Sequence, residues 1–350
     1  MLNAKFKNSK KLLRVLSTVE NILKANKTDN DLKYVKFEKM NDDLYLIAMN
    51  PFMKLCYKVD DVISVEGDCA LYENKMLTSL FNVIDGEVII GDGVIKSNKC
   101  EYNIPNILIE NYPDFIIPER PNRIEINSSE FIAAIENVID ATDKVEGVLS
   151  GVYINKNKLA ACDSKRVFMS NLSINESIDN IIMPKDFVSE IIKLPFEDKI
   201  YISIFNNNII AEDSNIYISS NLLAGNYPKY EAILPKDVKD EVSINKKDME
   251  SALNLVAPII DDVTWACNLE FNDSKLKIYT KDGKRKAETS IGIKAVSALS
   301  EPIKVKFNIQ ILLDMLKANS ETIDIKTYSD NIGVMFSSGN AKQYIMPLVD

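Results

Sequence analysis

The stretch NSSEFIAAIENV at residues 127–138 recurs in outline twice, as NSKKLLRVLSTV at 8–19 and as NKKDMESALNLV at 245–256. Each copy starts with asparagine, and apolar residues follow four, eight and eleven positions later. That spacing places the apolar side chains on one face of an amphipathic helix, and asparagine is a favoured N-cap. The copies begin about 119 residues apart, which indicates an internal repeat of whole domains.

A second helix is predicted later in each repeat, where two apolar pairs lie one helical turn apart. Short alternating segments such as YLIAMN (45–50), KIYISIF (199–205) and LKIYTKD (276–282) predict strands between turns. Each repeat should therefore contain two helices and about eight strands, which is an α+β fold. The paired helical positions are 76–77 and 80–81, 187–188 and 191–192, and 311–312 and 315–316.

The end of the first two repeats is marked by a further recurrence, IENYPDFIIPE (109–119) and AGNYPKYEAILPK (224–236). Proline-containing segments follow at 118–123 and 235–241, and we predict them to be linkers. The predicted domains are residues 1–121, 122–238 and 239–350, each with two helices and two small antiparallel sheets.

Composition excludes several kinds of chemistry. The 350 residues include no histidine, which removes imidazole bases and imidazole metal ligands. Five cysteines without a CxxC pair or a secretory signal predict reduced thiols in the cytoplasm, and no apolar run is long enough for a membrane span. Any catalysis would therefore have to rest on carboxylates, Lys, Tyr or Cys, and we expect no zinc site.

Four segments together resemble the bacterial sliding clamp, the beta subunit of the replicative DNA polymerase. They are GVLSGVYINKNKLAACDSKRVFMSNL (147–172), LLAGNYPKYEAILPK (222–236), FNIQILLDMLKA (307–318) and QYIMPLVD (343–350). The most specific parts are the turn at 163–166 and the terminal Met346-Pro347-Leu348. The resemblance implies three clamp domains per chain and a head-to-tail homodimer that closes into a six-domain ring.

The resemblance implies that such a ring encircles duplex DNA without reading its sequence and tethers a polymerase to the template. It therefore implies no catalytic residue, no metal and no cofactor. The net charge of −9 fits an acidic outer surface, provided that the inner helices carry cations. The helix at 127–143 is instead acidic, so the sequence supports this arrangement only in part. The candidate DNA-facing residues are Lys10, Lys11, Arg14, Lys24, Lys27, Lys75, Lys193 and Lys317.

The resemblance also implies a cleft in which the polymerase alpha subunit, the clamp loader and repair proteins dock short hydrophobic peptides. An apolar pocket with a few polar groups suits such peptides. Where the family commonly has Thr-Asp-Gly-His-Arg-Leu, this chain has Cys-Asp-Ser-Lys-Arg-Val at 162–167, so its peptide preference should differ. The matching positions are Leu149, Cys162, Ser164, Lys165, Arg166, Val167, Pro228, Ile233, Tyr344, Met346, Pro347 and Leu348.

Ring closure, by the same matching, should involve Tyr102 and Ile104 of one chain and Ile259 and Ile260 of the other, although inward packing of Tyr102 and Ile104 fits the pattern equally. Two other functions remain open. One is a clamp-like paralogue that acts only as a partner-binding module. The other is a carboxylate-dependent metal hydrolase, for which the sequence shows no compact group of acidic residues.

Overall fold

The computed structural model describes residues 2–24, 33–91, 93–104, 112–118, 122–174, 176–260, 263–272, 274–282, 285–295, 299, 301–317, 321–329 and 333–348. All six predicted helices are present, and a short additional helix follows the first. Within these residues the helices are α1 (Ser9–Thr18), α2 (Glu20–Lys24), α3 (Asn74–Val83), α4 (Ser128–Glu136), α5 (Lys185–Lys193), α6 (Lys246–Val256) and α7 (Ile309–Met315).

Asparagine side chains cap α1 and α6 at two of the predicted positions. The Asn8 side chain accepts a hydrogen bond from the Lys10 backbone N–H at 2.9 Å, and the Asn245 side chain accepts one from the Asp248 backbone N–H at 3.2 Å. Each bond satisfies one of the amide groups that the first turn of a helix leaves without a partner.

The strands fall into three series along the chain, as the repeat predicts. The first series is β1 (Asn3–Phe6), β2 (Tyr34–Met40), β3 (Asp43–Met49), β4 (Met53–Lys58), β5 (Val62–Glu66), β6 (Cys69–Glu73), β7 (Val88–Gly91), β8 (Val94–Ser97) and β9 (Glu101–Asn103). The second is β10 (Ile124–Asn127), β11 (Gly151–Lys156), β12 (Lys158–Cys162), β13 (Arg166–Asn171), β14 (Ile178–Pro184), β15 (Lys199–Phe205), β16 (Asn208–Glu212) and β17 (Ile216–Asn221). The third is β18 (Val238–Asn245), β19 (Ala266–Asn272), β20 (Lys275–Asp282), β21 (Arg285–Gly292), β22 (Lys294–Ala295), β23 (Ile303–Asn308), β24 (Thr322–Tyr328), β25 (Val334–Ser338) and β26 (Ala341–Ile345).

One compact unit comprises residues 1–128 and 189–222. It contains a five-stranded sheet in the order β5-β1-β7-β8-β9 and an eight-stranded sheet in the order β10-β15-β16-β17-β4-β3-β2-β6. The buried rings of Phe6 and Phe37 meet edge to face at 6.4 Å, so the two sheets share one core.

A second compact unit comprises residues 129–188 and 223–350. Its nine-stranded sheet has the order β14-β11-β12-β13-β26-β25-β24-β18-β22, and its four-stranded sheet has the order β21-β20-β19-β23. Phe307 of β23 and Phe336 of β25 are fully buried, with their ring centres 5.9 Å apart, and join the cores of these two sheets.

The α+β architecture with antiparallel sheets confirms the predicted fold class. The linker predicted at 235–241 is wrong from Val238 onward, where β18 begins, because its backbone pairs with β24. Of the linker predicted at 118–123, residues 119–121 lie outside the described residues. Both compact units contain strands of the predicted central domain, and its boundaries at 121 and 238 stay a prediction.

All five cysteines are free thiols. Among the described helices, none is both long enough and apolar enough to cross a membrane.

Candidate partner-binding site

The strand pair β13 and β26 forms a seam between segments that are far apart in sequence. Val167 lies opposite Tyr344, and Arg166 lies opposite Ile345. Beyond the paired strands, the Met346 backbone N–H donates to the Lys165 carbonyl oxygen at 2.9 Å. The predicted turn at 162–167 therefore lies directly beside the predicted tail at 344–346.

A hydrophobic group that we call the seam cluster surrounds this strand pair. Five of the twelve predicted partner-site residues belong to it: Leu149, Cys162, Val167, Tyr344 and Met346. The sequence analysis did not assign the remaining members to the partner site. They are the buried Ala160, Tyr230 and Met335 and the half-buried Tyr153, Met169, Tyr227, Leu234 and Tyr328. Met346 and Leu149 lie at the partly exposed border of the cluster, where an incoming side chain can reach them.

The other predicted partner-site residues lie outside the seam cluster. Pro228 and Ile233 are exposed, and Ser164 and Lys165 are exposed at the tip of the turn. Pro347 and Leu348 line a cavity of about 610 Å³ beside the edge strand β23. There the Leu348 backbone N–H donates to the Lys306 carbonyl oxygen at 2.7 Å, which anchors the tail.

Asp163 organises the turn that precedes β13. Its Oδ1 atom accepts hydrogen bonds from the backbone N–H groups of Lys165 at 2.7 Å and Arg166 at 3.1 Å. Its Oδ2 atom accepts a third bond from Arg166 Nε at 3.1 Å. One carboxylate thus fixes both the backbone of the turn and the direction of the arginine side chain.

The Arg166 guanidinium is bound on three sides within the protein. Besides Asp163, its Nη1 atom donates to Asp314 Oδ2 of α7 at 2.8 Å, and its Nη2 atom donates to the Asp140 carbonyl oxygen. The guanidinium carbon lies 5.2 Å from the centre of the Phe168 ring. Only 10% of the Arg166 side chain is exposed, so its charge is neutralised internally.

Lys317 extends this ionic network. Its ammonium lies 2.7 Å from Asp140 Oδ2 and 3.1 Å from Asp314 Oδ1. Burial by itself lowers the pKa of Lys317, but the bonds to the two carboxylates outweigh it and raise the pKa. Asp140, in the acidic segment after α4, and Lys317, a predicted DNA-facing residue, therefore form an ion pair with each other within the protein.

Tyr227 joins the seam cluster to the loop that follows β17. The Cys162 backbone N–H donates to the Tyr227 hydroxyl oxygen at 2.9 Å, and the Cys162 thiol lies 3.4 Å from the same atom. Burial raises the pKa of both Cys162 and Tyr227, so both groups stay protonated at neutral pH. The sequence signal for Tyr227 is the recurring Tyr-Pro pair. The tyrosine of the first copy, Tyr112, is likewise buried in a hydrophobic cluster of the first unit.

Four of the eight predicted DNA-facing cations have a nearby carboxylate among the described residues. The ammonium-to-carboxylate pairs are Lys11 with Asp61 at 2.7 Å, Lys24 with Glu20 at 2.9 Å and Lys193 with Glu190 at 2.8 Å, in addition to Lys317. Ion pairs of this kind present less net positive charge than isolated lysines.

The remaining predicted cations differ among themselves. Lys10 donates to the Phe81 and Asn82 carbonyl oxygens near the end of α3, at 3.0 and 2.7 Å. Arg14 and Lys75 are exposed and have no carboxylate partner within the described residues, whereas Lys27 lies outside them. Lys11, Arg14 and Lys193 line one cavity of about 340 Å³.

Each of the two predicted dimer segments contains one buried and one half-buried residue. Ile104 and Ile260 are buried within the single chain, while Tyr102 and Ile259 are half-buried. Tyr102 belongs to β9, which is the edge strand of the five-stranded sheet.

In the described part of the chain, no three Cys, Asp or Glu side chains are grouped so that they could hold a metal ion.

Comparison with known proteins identifies the fold. The family model of the DNA polymerase III beta subunit central domain matches residues 125–229, and that of the C-terminal domain matches residues 231–348. The beta sliding clamp of Rickettsia bellii is 23% identical over 362 residues, covering 95% of this chain and 93% of its own. That of Helicobacter pylori strain J99 is 22% identical over 307 residues, covering 83% and 81%.

The fold of the whole chain matches as well. The crystal structure of a DnaN sliding clamp from Bartonella birtlesii, bound to griselimycin, superimposes with a TM-score of 0.88 at 18% identity and covers 100% of both chains. The two family models together match nearly two thirds of this chain. The chain therefore belongs to the DNA polymerase III beta subunit family, the bacterial sliding clamps.

Proposed function

We propose that this chain is a sliding clamp, a processivity factor that encircles duplex DNA and tethers the replicative polymerase. The observation that carries the proposal is the seam cluster, in which the turn at 162–167 and the tail at 344–346 meet as the family resemblance requires. The clamp works in the cytoplasm as a subunit of a polymerase holoenzyme, and it has no catalytic step of its own.

Two chains close head to tail into a ring, and DNA is held by topology. A ring needs only weak, mobile contacts with phosphates, so the many lysines that already pair with carboxylates are compatible with sliding. The unpaired cations Arg14 and Lys75 are the strongest candidates for such contacts among the described residues. The edge strand β9 with the half-buried Tyr102 offers a backbone edge for closure.

The seam cluster is the docking site for short hydrophobic peptides of the polymerase alpha subunit, the clamp loader and repair proteins. Leu149 and Met346 form its partly exposed border, and an adaptable methionine can repack around different side chains. Cys162 and Val167 are buried in the same cluster and form part of its apolar interior.

The experiment that tests this site is peptide binding with the Met346→Ala, Leu348→Ala double variant and with a chain that lacks the last five residues. We expect a fluorescent peptide from the cognate polymerase alpha subunit to lose at least tenfold in affinity in both variants, measured by anisotropy. Dimerisation should be unchanged in analytical ultracentrifugation, because the altered residues are not among those assigned to ring closure. Equal peptide affinity in all three proteins would contradict the site.

Retention on DNA separates the clamp from a paralogue that only binds partners. With the cognate loader and ATP, the clamp should remain on a nicked circular plasmid during gel filtration and leave it once the plasmid is linearised. A ring that forms but is never retained on the circle would favour the partner-binding module.

A further inference from the structure

We propose that the partner site continues into a neighbouring cavity, which binds acidic residues flanking the hydrophobic motif of the docked peptide. The inference rests on the proposed function and adds to it the chemistry of the partner. The cavity, which we call the tyrosine cavity, has a volume of about 660 Å³. Its lining includes Tyr153, Lys156, Lys158, Tyr227 and Lys229.

Three tyrosine rings give this cavity a rigid wall. Tyr153 and Tyr227 stack with ring centres 4.7 Å apart and planes 2° apart, and Tyr230 meets both edge to face at 6.4 and 6.5 Å. The Tyr153 hydroxyl donates to Asn180 Oδ1 at 2.6 Å, which fixes the outer ring. A wall that is already ordered loses little conformational entropy when a ligand binds.

The rim of the tyrosine cavity is positively charged. Three lysines line it against one carboxylate, Glu231, which pairs with Lys158 at 3.0 Å. Lys156 and Lys229 are exposed and have no carboxylate partner within the described residues. In a chain with a net charge of −9, this local excess of positive charge favours an acidic ligand.

Tyr227 makes the tyrosine cavity continuous with the seam cluster. Its ring forms part of the cavity wall, while its hydroxyl oxygen accepts the Cys162 backbone N–H at 2.9 Å. Tyr153, Tyr227 and Tyr230 belong both to the seam cluster and to the cavity lining, so the lysines of the cavity adjoin the cluster. The side-chain amides of Asn155 and Asn157 also line the cavity and can bond the backbone of an extended peptide.

The contacts among the three tyrosine side chains favour a peptide ligand over single-stranded nucleic acid. A binder of single strands offers aromatic faces on which bases stack. Here the stacked rings of Tyr153 and Tyr227 each cover one face of the other, and Tyr230 is buried. Carboxylates at the rim, rather than stacked bases, match what the cavity presents.

The test compares two fluorescent peptides that share the hydrophobic motif of the cognate polymerase alpha subunit. One carries three aspartates at each end, and the other carries three asparagines at each end. With the wild-type clamp we expect the acidic peptide to bind about fivefold more tightly at low salt, with the advantage lost at 0.5 M salt. The Lys156→Glu, Lys229→Glu double variant should abolish the advantage and leave the neutral peptide unchanged.

Lys281→Glu, which alters an exposed lysine of β20 outside the tyrosine cavity, is the matched control and should preserve the fivefold difference. If the wild-type protein binds both peptides equally, the proposed binding of acidic residues in the tyrosine cavity is wrong, although the docking site stands. If neither peptide binds, the docking site itself fails and the extension fails with it. If a dT15 oligonucleotide displaces the acidic peptide and binds the double variant less tightly, the cavity is a nucleic-acid site and the proposal is overturned.

Discussion

At the scale of single residues, the proposed partner site contains a guanidinium that is largely buried and bonded within the protein. Arg166 bonds Asp163, Asp314 and the Asp140 carbonyl, so it connects the turn at 162–167 to α7. Its charge is not available to a docked peptide, and we expect it to act as a positioning residue. The sequence identified Arg166 but could not identify Asp314, since an ion pair between residues 148 positions apart leaves no local pattern.

Arg166→Gln should lower the free energy of unfolding by about 2 kcal/mol, because Asp314 keeps a partly buried charge that has lost a partner. Asp314→Asn should cost a similar amount. In a double-mutant cycle followed by urea unfolding, the two changes should couple by about 1 kcal/mol. Fully additive effects would show that the interaction between Arg166 and Asp314 contributes nothing to stability. Lys281→Gln, an exposed change, controls for loss of charge alone.

Two core thiols make the stability of the protein sensitive to alkaline pH. Burial raises the pKa of Cys56 and Cys267 to about 12, whereas an unfolded thiol titrates near 8.5. The unfolded chain therefore releases these protons first, and stability is lost progressively as the pH rises from about 8.5 towards 12.

At pH 9.5 each of these thiols should cost about 1 kcal/mol of unfolding free energy relative to pH 7.5. Urea unfolding at the two pH values should show a smaller loss in the Cys56→Ala, Cys267→Ala variant than in the wild type. Cys100→Ala, which alters an exposed thiol, should leave the loss unchanged. A loss of the same size in all three proteins would refute this assignment.

At the scale of secondary-structure elements, the helices could be predicted and the strand partners could not. Periodic leucines and asparagine caps locate α1 and α6, because both signals are local. The five-residue α2 is too short to show a period. Alternation in β13 predicts which side chains are buried, but it does not predict that β26 is the neighbour, and so the position of the seam required the structure.

The N-cap of α6 can be tested directly. Asn245→Ala removes the acceptor of the Asp248 backbone N–H and should lower the free energy of unfolding by about 1 kcal/mol. Asn245→Ser restores a capping oxygen and should recover most of that loss in the same urea experiment. If serine is no better than alanine, the side-chain cap does not stabilise the helix.

The close contact of β11 with β14 offers a second test. A Cβ atom at Gly151 would lie 2.7 Å from the Met183 carbonyl oxygen and 2.6 Å from Ile182 Cγ2, so alanine forces the strands apart. We expect Gly151→Ala to lower the free energy of unfolding by about 2 kcal/mol. Gly292→Ala in β21 is the matched control, because its Cβ would meet no atom within 4 Å. Equal melting temperatures for the two variants would contradict the packing.

At the scale of the whole molecule, the threefold repeat read from the sequence accounts for three series of eight or nine strands among the described residues. It does not account for the two sheets that each contain strands of two series. These sheets are joined where β4 pairs with β17 and where β13 pairs with β26. A repeat is a local property of each copy, whereas these joints depend on which strand edges remain available after each copy has formed.

The charge pattern also becomes clear only for the whole molecule. The cations of α1, α2 and α5 are predicted to face DNA, yet Lys11, Lys24 and Lys193 each have an acidic neighbour. Such pairing reduces sequence-independent attraction to phosphates without abolishing it. A ring that holds DNA by topology does not need a strong attraction, and a protein that binds DNA on an open surface does.

Negative-stain imaging of the purified protein at micromolar concentration tests the central claim most directly. We expect rings with a central hole and a pseudo-sixfold outline, each containing two 39.5 kDa chains. Compact particles without a hole, each with the mass of a single chain, would contradict the ring and with it the proposal that this protein holds DNA by encircling it.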